Sequence, residues 1–241
     1  MQQSAAPITY PEALRAVSKQ DYQQPLTVAI GADADTGAEI RANLEEASAS
    51  GIGPHLGILG PTGSGKTTLL LAMVRSILSA PPTRGVEVAI ATAPWSAPDI
   101  DGVTSIDTNQ TCDLQIHLES LIRARQTWQD RGLDGLPAAV VAIDDPAGLS
   151  GVQRLPSAVE RALRVGRALD IHLVCASQGH RRGASGVQLT QFLSSWVELG
   201  QGPLTGEGRW VCRQSDQGFL RRTIRLPAPP QPGRSEETNG S

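Results

Sequence analysis

The sequence has few aromatic residues, few cysteines and no long apolar run. Phe, Trp and Tyr make up 3% of its 241 residues, so a buried core has to be built from aliphatic side chains. The three cysteines, Cys112, Cys175 and Cys212, lack the spacing of a metal site or a disulfide framework, which favours a reducing compartment. No run approaches the roughly 18 apolar residues of a membrane span. These absences predict a globular cytoplasmic protein with an aliphatic core.

Neither sign of charge dominates. The chain has 21 Lys and Arg against 24 Asp and Glu, a formal net charge of -3. This balance argues against a basic surface for non-specific nucleic-acid binding, but it allows a small basic patch inside a ring. Residues 1–7 lack the basic and apolar parts of a signal peptide. Recruitment to the inner face of the membrane is therefore expected only through a partner.

The composition divides the chain into three parts. Residues 1–24 form a polar N-terminal extension, with a short helix predicted at about 11–19. Residues 25–226 are long enough for one α/β domain with a buried core. Residues 227–241 are rich in Pro, Gly, Ser and Glu, which predicts a disordered tail.

Within the central part, apolar runs alternate with helical patterns. We predict strands at 56–59, 86–91, 138–143 and 171–176, and helices at 67–78, 114–122 and 159–169. The alternation indicates an α/β fold with a mostly parallel sheet covered on both faces. A hairpin is predicted at 26–31 and 39–44, and short strands at 196–199, 209–214 and 220–226, with a turn at 216–218. In the second helix, Arg123 and Arg125 are expected off the apolar face.

A phosphate-binding pattern follows the strand at 56–59. Gly60-Pro61-Thr62-Gly63-Ser64-Gly65-Lys66-Thr67 fits G-x-x-x-x-G-K-[ST]. Its glycines let successive backbone N–H groups point at phosphate oxygens, and the next helix adds the positive end of its dipole. The strand before it and the apolar helix after it favour a P-loop over a chance match. We expect residues 60–68, including Thr68, to bind ATP, with Lys66 on the β- and γ-phosphates and Thr67 on Mg²⁺.

Polar residues also end two of the later strands, where ligands collect in parallel sheets. Asp144 is the candidate that positions Mg²⁺ through water, and Asp145 is the candidate general base for the attacking water. Gln178 has two interpretations. It either acts on the nucleotide, by orienting the attacking water or by sensing the γ-phosphate, or it simply caps a loop.

Three further stretches resemble a known family. Residues 45–55, with Gly51-Ile52-Gly53-Pro54-His55, are similar to a K-E-[SA]-A-x-x-G-M-G-P-H stretch, and residues 166–178 to G-R-[AS]-x-G-[IV]-H-L-x-x-A-[ST]-Q. With the strand pair before the P-loop, they resemble the FtsK/HerA-type motor ATPases, and within them the type VII secretion ATPases of the EccC kind. The resemblance covers most of 26–226. It implies a RecA-like P-loop NTPase fold, ATP with Mg²⁺, and a homo-oligomeric ring such as a hexamer, or a larger ATPase assembly, that moves DNA or secreted proteins.

The chain departs from the family pattern at two strand ends. Asp144-Asp145 stands where the family usually has Asp-Glu, and Pro146 restricts Asp145 to extended backbone. Residues 88–94 carry no acid or lysine where the family commonly has D-[FP]-K-G. The departures motivate an alternative function, a nucleotide-binding regulatory or assembly module with little hydrolysis. A small-molecule kinase is a weaker hypothesis because no arginine-rich lid segment is present.

Arginines are candidates for contacts between subunits and with cargo. In a ring of this family, an arginine of one subunit is expected to complete the neighbour's site. The candidates beside the strand at 171–176 are Arg167, Arg181 and Arg182. A second cluster, which either contacts a phosphate backbone or forms a solvated strand face, comprises Arg221, Arg222 and Arg225.

Overall fold

The computed structural model describes residues 25–45, 55–82, 85–93, 99–107, 111–133, 135–144, 156–178, 189–200, 206–214 and 218–226. The helix predicted at 11–19, the disordered tail predicted at 227–241 and most of the resemblance at 45–55 lie outside these residues. Within the described part, no helix combines the length and the apolarity needed to cross a bilayer.

The described residues form one sheet with three α-helices. The strands are β1 (Thr27–Asp33), β2 (Glu39–Asn43), β3 (Leu56–Leu59), β4 (Val86–Thr92), β5 (Val103–Asp107), β6 (Ala138–Ile143), β7 (Ile171–Ser177), β8 (Ser195–Leu199), β9 (Glu207–Gln214) and β10 (Gly218–Arg225). The helices are α1 (Lys66–Ser79), α2 (Thr111–Asp130) and α3 (Ser157–Leu169), with a 3₁₀ turn at Leu189–Phe192.

The order of the strands across the sheet is β2-β1-β10-β9-β8-β3-β7-β6-β4-β5. From β8 to β5 all neighbours are parallel, whereas β9, β10, β1 and β2 are joined by antiparallel pairings. The α/β fold and the predicted strands are confirmed. The two predicted hairpins pair with each other through β1 and β10, which extends the parallel half into a mixed sheet of ten strands.

Strand β5 was not predicted. It lies at the edge of the sheet, where Thr104 and Ser105 are exposed and Ile106 is its one buried residue. An edge strand of this kind lacks the continuous apolar run by which a strand buried on both faces is recognised.

Helices cover both faces of the parallel half. One core lies between α1 and the sheet, and it continues under β1 and β2. A second core lies between the opposite face and helices α2 and α3. All six residues of β6 are buried because both cores meet at this strand. Because β3, β7, β6 and β4 are parallel, all four strands end at the same edge of the sheet.

The prediction that Arg125 lies off the apolar face of α2 is wrong. Its side chain is 1% exposed, and it donates hydrogen bonds to the carbonyl oxygens of Leu169 at 3.1 Å and Pro137 at 2.6 Å. Carboxylate oxygens of Glu87 and Asp170 lie 3.8 and 4.0 Å from the guanidinium. Arg125 follows Leu121 by four residues and so shares its face. A buried guanidinium is tolerated there because carbonyl oxygens and two acids surround it.

Candidate nucleotide site

The predicted P-loop connects β3 to α1. Gly63 and Gly65 have φ values of 77° and 89°, in the left-handed region that favours glycine. A Cβ at Gly60 would lie 2.6 Å from the Ser64 hydroxyl and 2.9 Å from the Leu199 Cβ. The loop can therefore keep this tight curl only with glycine at these positions. Pro61 and Thr62 complete the turn, and Thr68 lies in the first turn of α1, partly buried.

Lys66 is the first residue of α1 and lies under the loop. It is 8% exposed, and its Nζ donates a hydrogen bond to the carbonyl oxygen of Pro61 at 2.8 Å. The ammonium group is thus held inside the curl formed by residues 60–65. A phosphate oxygen that entered the curl would compete with the Pro61 carbonyl for this ammonium group.

Thr67 and Asp144 meet at the same edge of the sheet, although they are 77 positions apart in sequence. The Thr67 hydroxyl lies 2.9 Å from Oδ2 and 3.1 Å from Oδ1 of Asp144. The backbone N–H of Asp144 donates to the carbonyl oxygen of Ala91 at 2.9 Å, which continues the pairing of β6 with β4. A hydroxyl and a carboxylate are hard oxygen donors of the kind that Mg²⁺ prefers.

Thr92, which sequence analysis did not single out, also contacts Asp144. It ends β4, its side chain is 3% exposed, and its hydroxyl lies 3.4 Å from Asp144 Oδ2. In the sequence, the end of this strand is notable only for the acid that it lacks. The signal that could have identified Thr92 is its position as a polar residue at the end of a buried parallel strand.

Gln178 follows the last residue of β7, next to the P-loop. The N–H of Gly60 donates to the carbonyl oxygen of Ser177 at 3.1 Å, which ties the start of the loop to the end of β7. Gln178 is exposed. The fold therefore brings Gln178 to the same sheet edge as Lys66, Thr67 and Asp144.

Other candidates lie elsewhere or outside the described residues. Asp145, Arg181 and Arg182 belong to segments that the structure does not describe. Arg167 is exposed in the last turn of α3, near the start of β7 and thus at the sheet edge opposite its own P-loop. Arg221 and Arg222 are exposed on β10.

His55 and residues 166–178, which carry part of the resemblance, contact each other at the edge of the sheet away from the P-loop. His55 is fully buried, its Nε2 donates to the Leu163 carbonyl oxygen at 3.1 Å, and its Nδ1 accepts the N–H of Leu173 at 3.1 Å. A Cβ at Gly166 would clash with the carbonyl oxygen of Ile171 and lie 2.8 Å from the His55 ring. Burial, with a smaller electrostatic contribution from His172, lowers the pKa of His55 to about 3. One neutral imidazole thus joins β3, α3 and β7.

Comparisons with known proteins agree with this architecture. Residues 12–90 match the model of the FtsK/SpoIIIE family. No curated protein sequence matches the chain. The cytoplasmic domain of the Thermomonospora curvata type VII secretion ATPase EccC superposes with a TM-score of 0.64 at 21% identity, covering 86% of this chain and 29% of that chain.

Two further solved structures share the fold. The pCW3 conjugation coupling protein TcpA, a monomer form with ATPγS, has a TM-score of 0.60 at 14% identity over 85% of this chain and 67% of that chain. The cytoplasmic domain of EssC has a TM-score of 0.56 at 14% identity, with 87% and 44% covered. The chain therefore spans less than half the length of the EccC and EssC domains. Residues 12–90 match the FtsK/SpoIIIE family, and the chain has the fold of an FtsK/EccC-type P-loop ATPase.

Proposed function

We propose that this chain binds ATP with Mg²⁺ at residues 60–68 and couples ATP hydrolysis to the movement of a macromolecule. The observation that carries the proposal is the contact of Thr67 with Asp144 at 2.9 Å, directly beside a P-loop that opens α1. This contact joins the phosphate loop to the acid that follows β6, which is separated from β3 by β7 in the sheet. We assign the ATPase domain to residues 25–226, preceded by an extension and followed by a tail.

Phosphate binding would rest on the backbone N–H groups of the loop and on Lys66. The N–H groups at the start of α1 and the positive end of its dipole favour an anion at this position. Lys66 would exchange its hydrogen bond with Pro61 for one with a phosphate oxygen. Because both partners are then charged, the new bond is the stronger of the two.

The residues present fit Mg²⁺. Thr67 would ligate the ion through its hydroxyl, and Asp144 would hold it through water. When bound, Mg²⁺ neutralises charge on the β- and γ-phosphates. We assign Asp145 as the general base and Gln178 as the residue that orients the attacking water.

We further propose a homo-oligomeric ring or a larger ATPase assembly, in which an arginine of one subunit completes the site of the next. Such an arginine would stabilise the charge that develops as the γ-phosphate leaves. The exposed position of Arg167, at the sheet edge away from its own P-loop, is compatible with a contact to a neighbouring subunit. The cargo would be DNA or a secreted protein. One EccC structure contains a signal sequence peptide, and TcpA is a conjugation coupling protein.

The alternative function is a nucleotide-binding module that hydrolyses ATP poorly. Two features favour it: the shorter Asp145 in place of glutamate, and the end of β4, where a threonine hydroxyl rather than a carboxylate lies beside Asp144. A base that is one methylene shorter has to reach farther for the proton of the attacking water.

Binding and turnover should be measured separately. Binding of a fluorescent ATP analogue should weaken about 10- to 100-fold in Lys66→Ala, as expected for the loss of a charged hydrogen bond. Arg75→Ala, which removes an exposed cation from the same helix, serves as the matched control. Equal binding by wild type and Lys66→Ala would contradict the assignment of the site.

Steady-state Mg²⁺-ATP turnover then distinguishes the two functions. Activity per subunit that rises with protein concentration and vanishes in Lys66→Ala supports a motor with a site shared between subunits. Tight binding without turnover, with turnover gained in Asp145→Glu, supports the alternative. Salt-sensitive binding to duplex DNA irrespective of sequence would support DNA as the cargo, and its absence at low salt would argue against DNA.

A further inference from the structure

Thr92 occupies the place in the fold from which a side chain can orient Asp144. β4 and β6 are parallel neighbours, and the pairing of Ala91 with Ile143 puts Thr92 beside Asp144. The Asp144 N–H bond to the Ala91 carbonyl oxygen, at 2.9 Å, fixes this alignment. Thr92 itself is 3% exposed, so its hydroxyl is largely removed from water.

The Asp144 carboxylate is approached from two sides. Thr67 lies within 3.1 Å of both carboxylate oxygens, whereas Thr92 approaches Oδ2 alone, at 3.4 Å. A hydroxyl has a single proton to donate, so Thr67 can satisfy only one carboxylate oxygen at a time. A second donor on Oδ2 leaves the Thr67 proton for Oδ1 and restricts rotation of the carboxylate about its Cβ–Cγ bond.

We infer that Thr92 is a positioning residue for the nucleotide site: its hydroxyl holds the Asp144 carboxylate in the orientation needed to support Mg²⁺. The inference deepens the proposed function and rests on it. Groups that orient a direct metal ligand commonly contribute about 10- to 100-fold to metal affinity; because Asp144 would hold Mg²⁺ through water, we expect the lower end of this range, about tenfold, for Thr92. Thr92 lies in the strand end, residues 88–94, that has no acid although the resembled family commonly has one there, and its hydroxyl adds no negative charge near the proposed phosphate site.

If Thr92 served only to pack the core, its substitutions would behave differently. Valine has the same shape and is at least as favourable in a buried strand, so Thr92→Val would then be harmless. Serine keeps the hydroxyl but loses the methyl group. The two substitutions therefore separate the hydrogen bond from the packing.

The test is the Mg²⁺ dependence of binding of a fluorescent ATP analogue by the full chain, titrated with MgCl₂ from an EDTA-treated sample. Thr92→Val should raise the Mg²⁺ concentration for half-maximal binding by about tenfold or more, and Thr92→Ser should stay within about threefold of wild type. Thr104→Val, an exposed threonine on the neighbouring strand β5, is the matched control and should not differ from wild type. Binding in EDTA should be the same for all four proteins.

Three outcomes would overturn the inference, and they are distinguishable. A wild type whose binding depends on Mg²⁺, together with an unchanged dependence in Thr92→Val, would overturn the role of Thr92 alone. An equal loss in Thr92→Val and Thr92→Ser would do the same, because it would assign the effect to packing. A wild type that binds no nucleotide would overturn the proposed function and this inference together.

Discussion

Acid should destabilise the fold through His55. In the folded protein the ring is buried between β3, α3 and β7, and its pKa is lowered from 6.5 to about 3. In the unfolded chain the ring takes up a proton near its ordinary pKa. Between these two values the unfolded state binds more protons than the folded state, so the free energy of unfolding falls as the pH is lowered.

The magnitude follows from the two pKa values. At about pH 7.5 His55 is neutral in both states and contributes no dependence on pH. At about pH 5 the unfolded ring is almost fully protonated and the folded ring is not. At roughly 1.4 kcal/mol per pH unit, this difference lowers the free energy of unfolding by about 2 kcal/mol. His172, which contributes to the lowered pKa of His55, and its partner Asp170, 2.8 Å from it, remain in every protein compared.

Urea unfolding at both pH values, in wild type and in His55→Gln, measures this contribution. The glutamine amide can still donate to the Leu163 carbonyl oxygen, but it does not titrate. The variant should be less stable than wild type at about pH 7.5 and should lose about 2 kcal/mol less on acidification. If the two proteins lose the same free energy to within about 0.5 kcal/mol, the assignment of the acid sensitivity to His55 is wrong.

Two further predictions concern packing around the same elements. Gly166→Ala should destabilise the protein by at least about 2 kcal/mol because the added Cβ would clash with the Ile171 carbonyl oxygen. The control Gly200→Ala has open space around its Cβ and should change stability by less than about 1 kcal/mol. Urea unfolding midpoints measure both effects. Burial raises the pKa of Cys175 to about 12, so in the native protein it should react with a thiol reagent more than about 1000-fold more slowly than the exposed Cys112. Peptide mass spectrometry distinguishes the two sites, and rapid native labelling of Cys175 would mean that β7 is not buried.

Much of the fold could be predicted because its signals are local. The run at 138–143 is apolar without a break because β6 is buried on both faces, and the P-loop pattern needs only the strand and helix on either side of it. The edge strand β5 gave no such signal, since its exposed polar residues look like loop. Local patterns also cannot show how the two hairpins join, because the pairing of β1 with β10 depends on contacts across most of the chain.

The side chains that were misjudged are those whose partners lie far away in sequence. Arg125 is buried because carbonyl oxygens from Pro137 and Leu169 converge on it, and a charged residue in a helix gives no hint of them. His55 served only as a mark of resemblance, although its ring is what joins three elements. Thr92 entered the sequence analysis only as part of a strand end, residues 88–94, that has no acid. In each case the residue type favoured exposure or was ambiguous, and contacts between distant parts of the chain determine that the side chain is buried.

The proposed nucleotide binding and hydrolysis rest on different residues at the edge of the sheet that carries the P-loop. In the proposed function, binding depends on the loop, on Lys66 and on the Thr67–Asp144 contact, which the placement of β3, α1 and β6 brings together. In the proposed function, hydrolysis depends in addition on Asp145, two residues beyond the end of β6, where the resembled family usually has the longer glutamate. The proposal therefore expects nucleotide binding whether or not turnover is fast. A Mg²⁺ titration of binding reports on Asp144 and its two hydroxyl neighbours, and Asp145→Glu reports on the base, so the two experiments can fail independently.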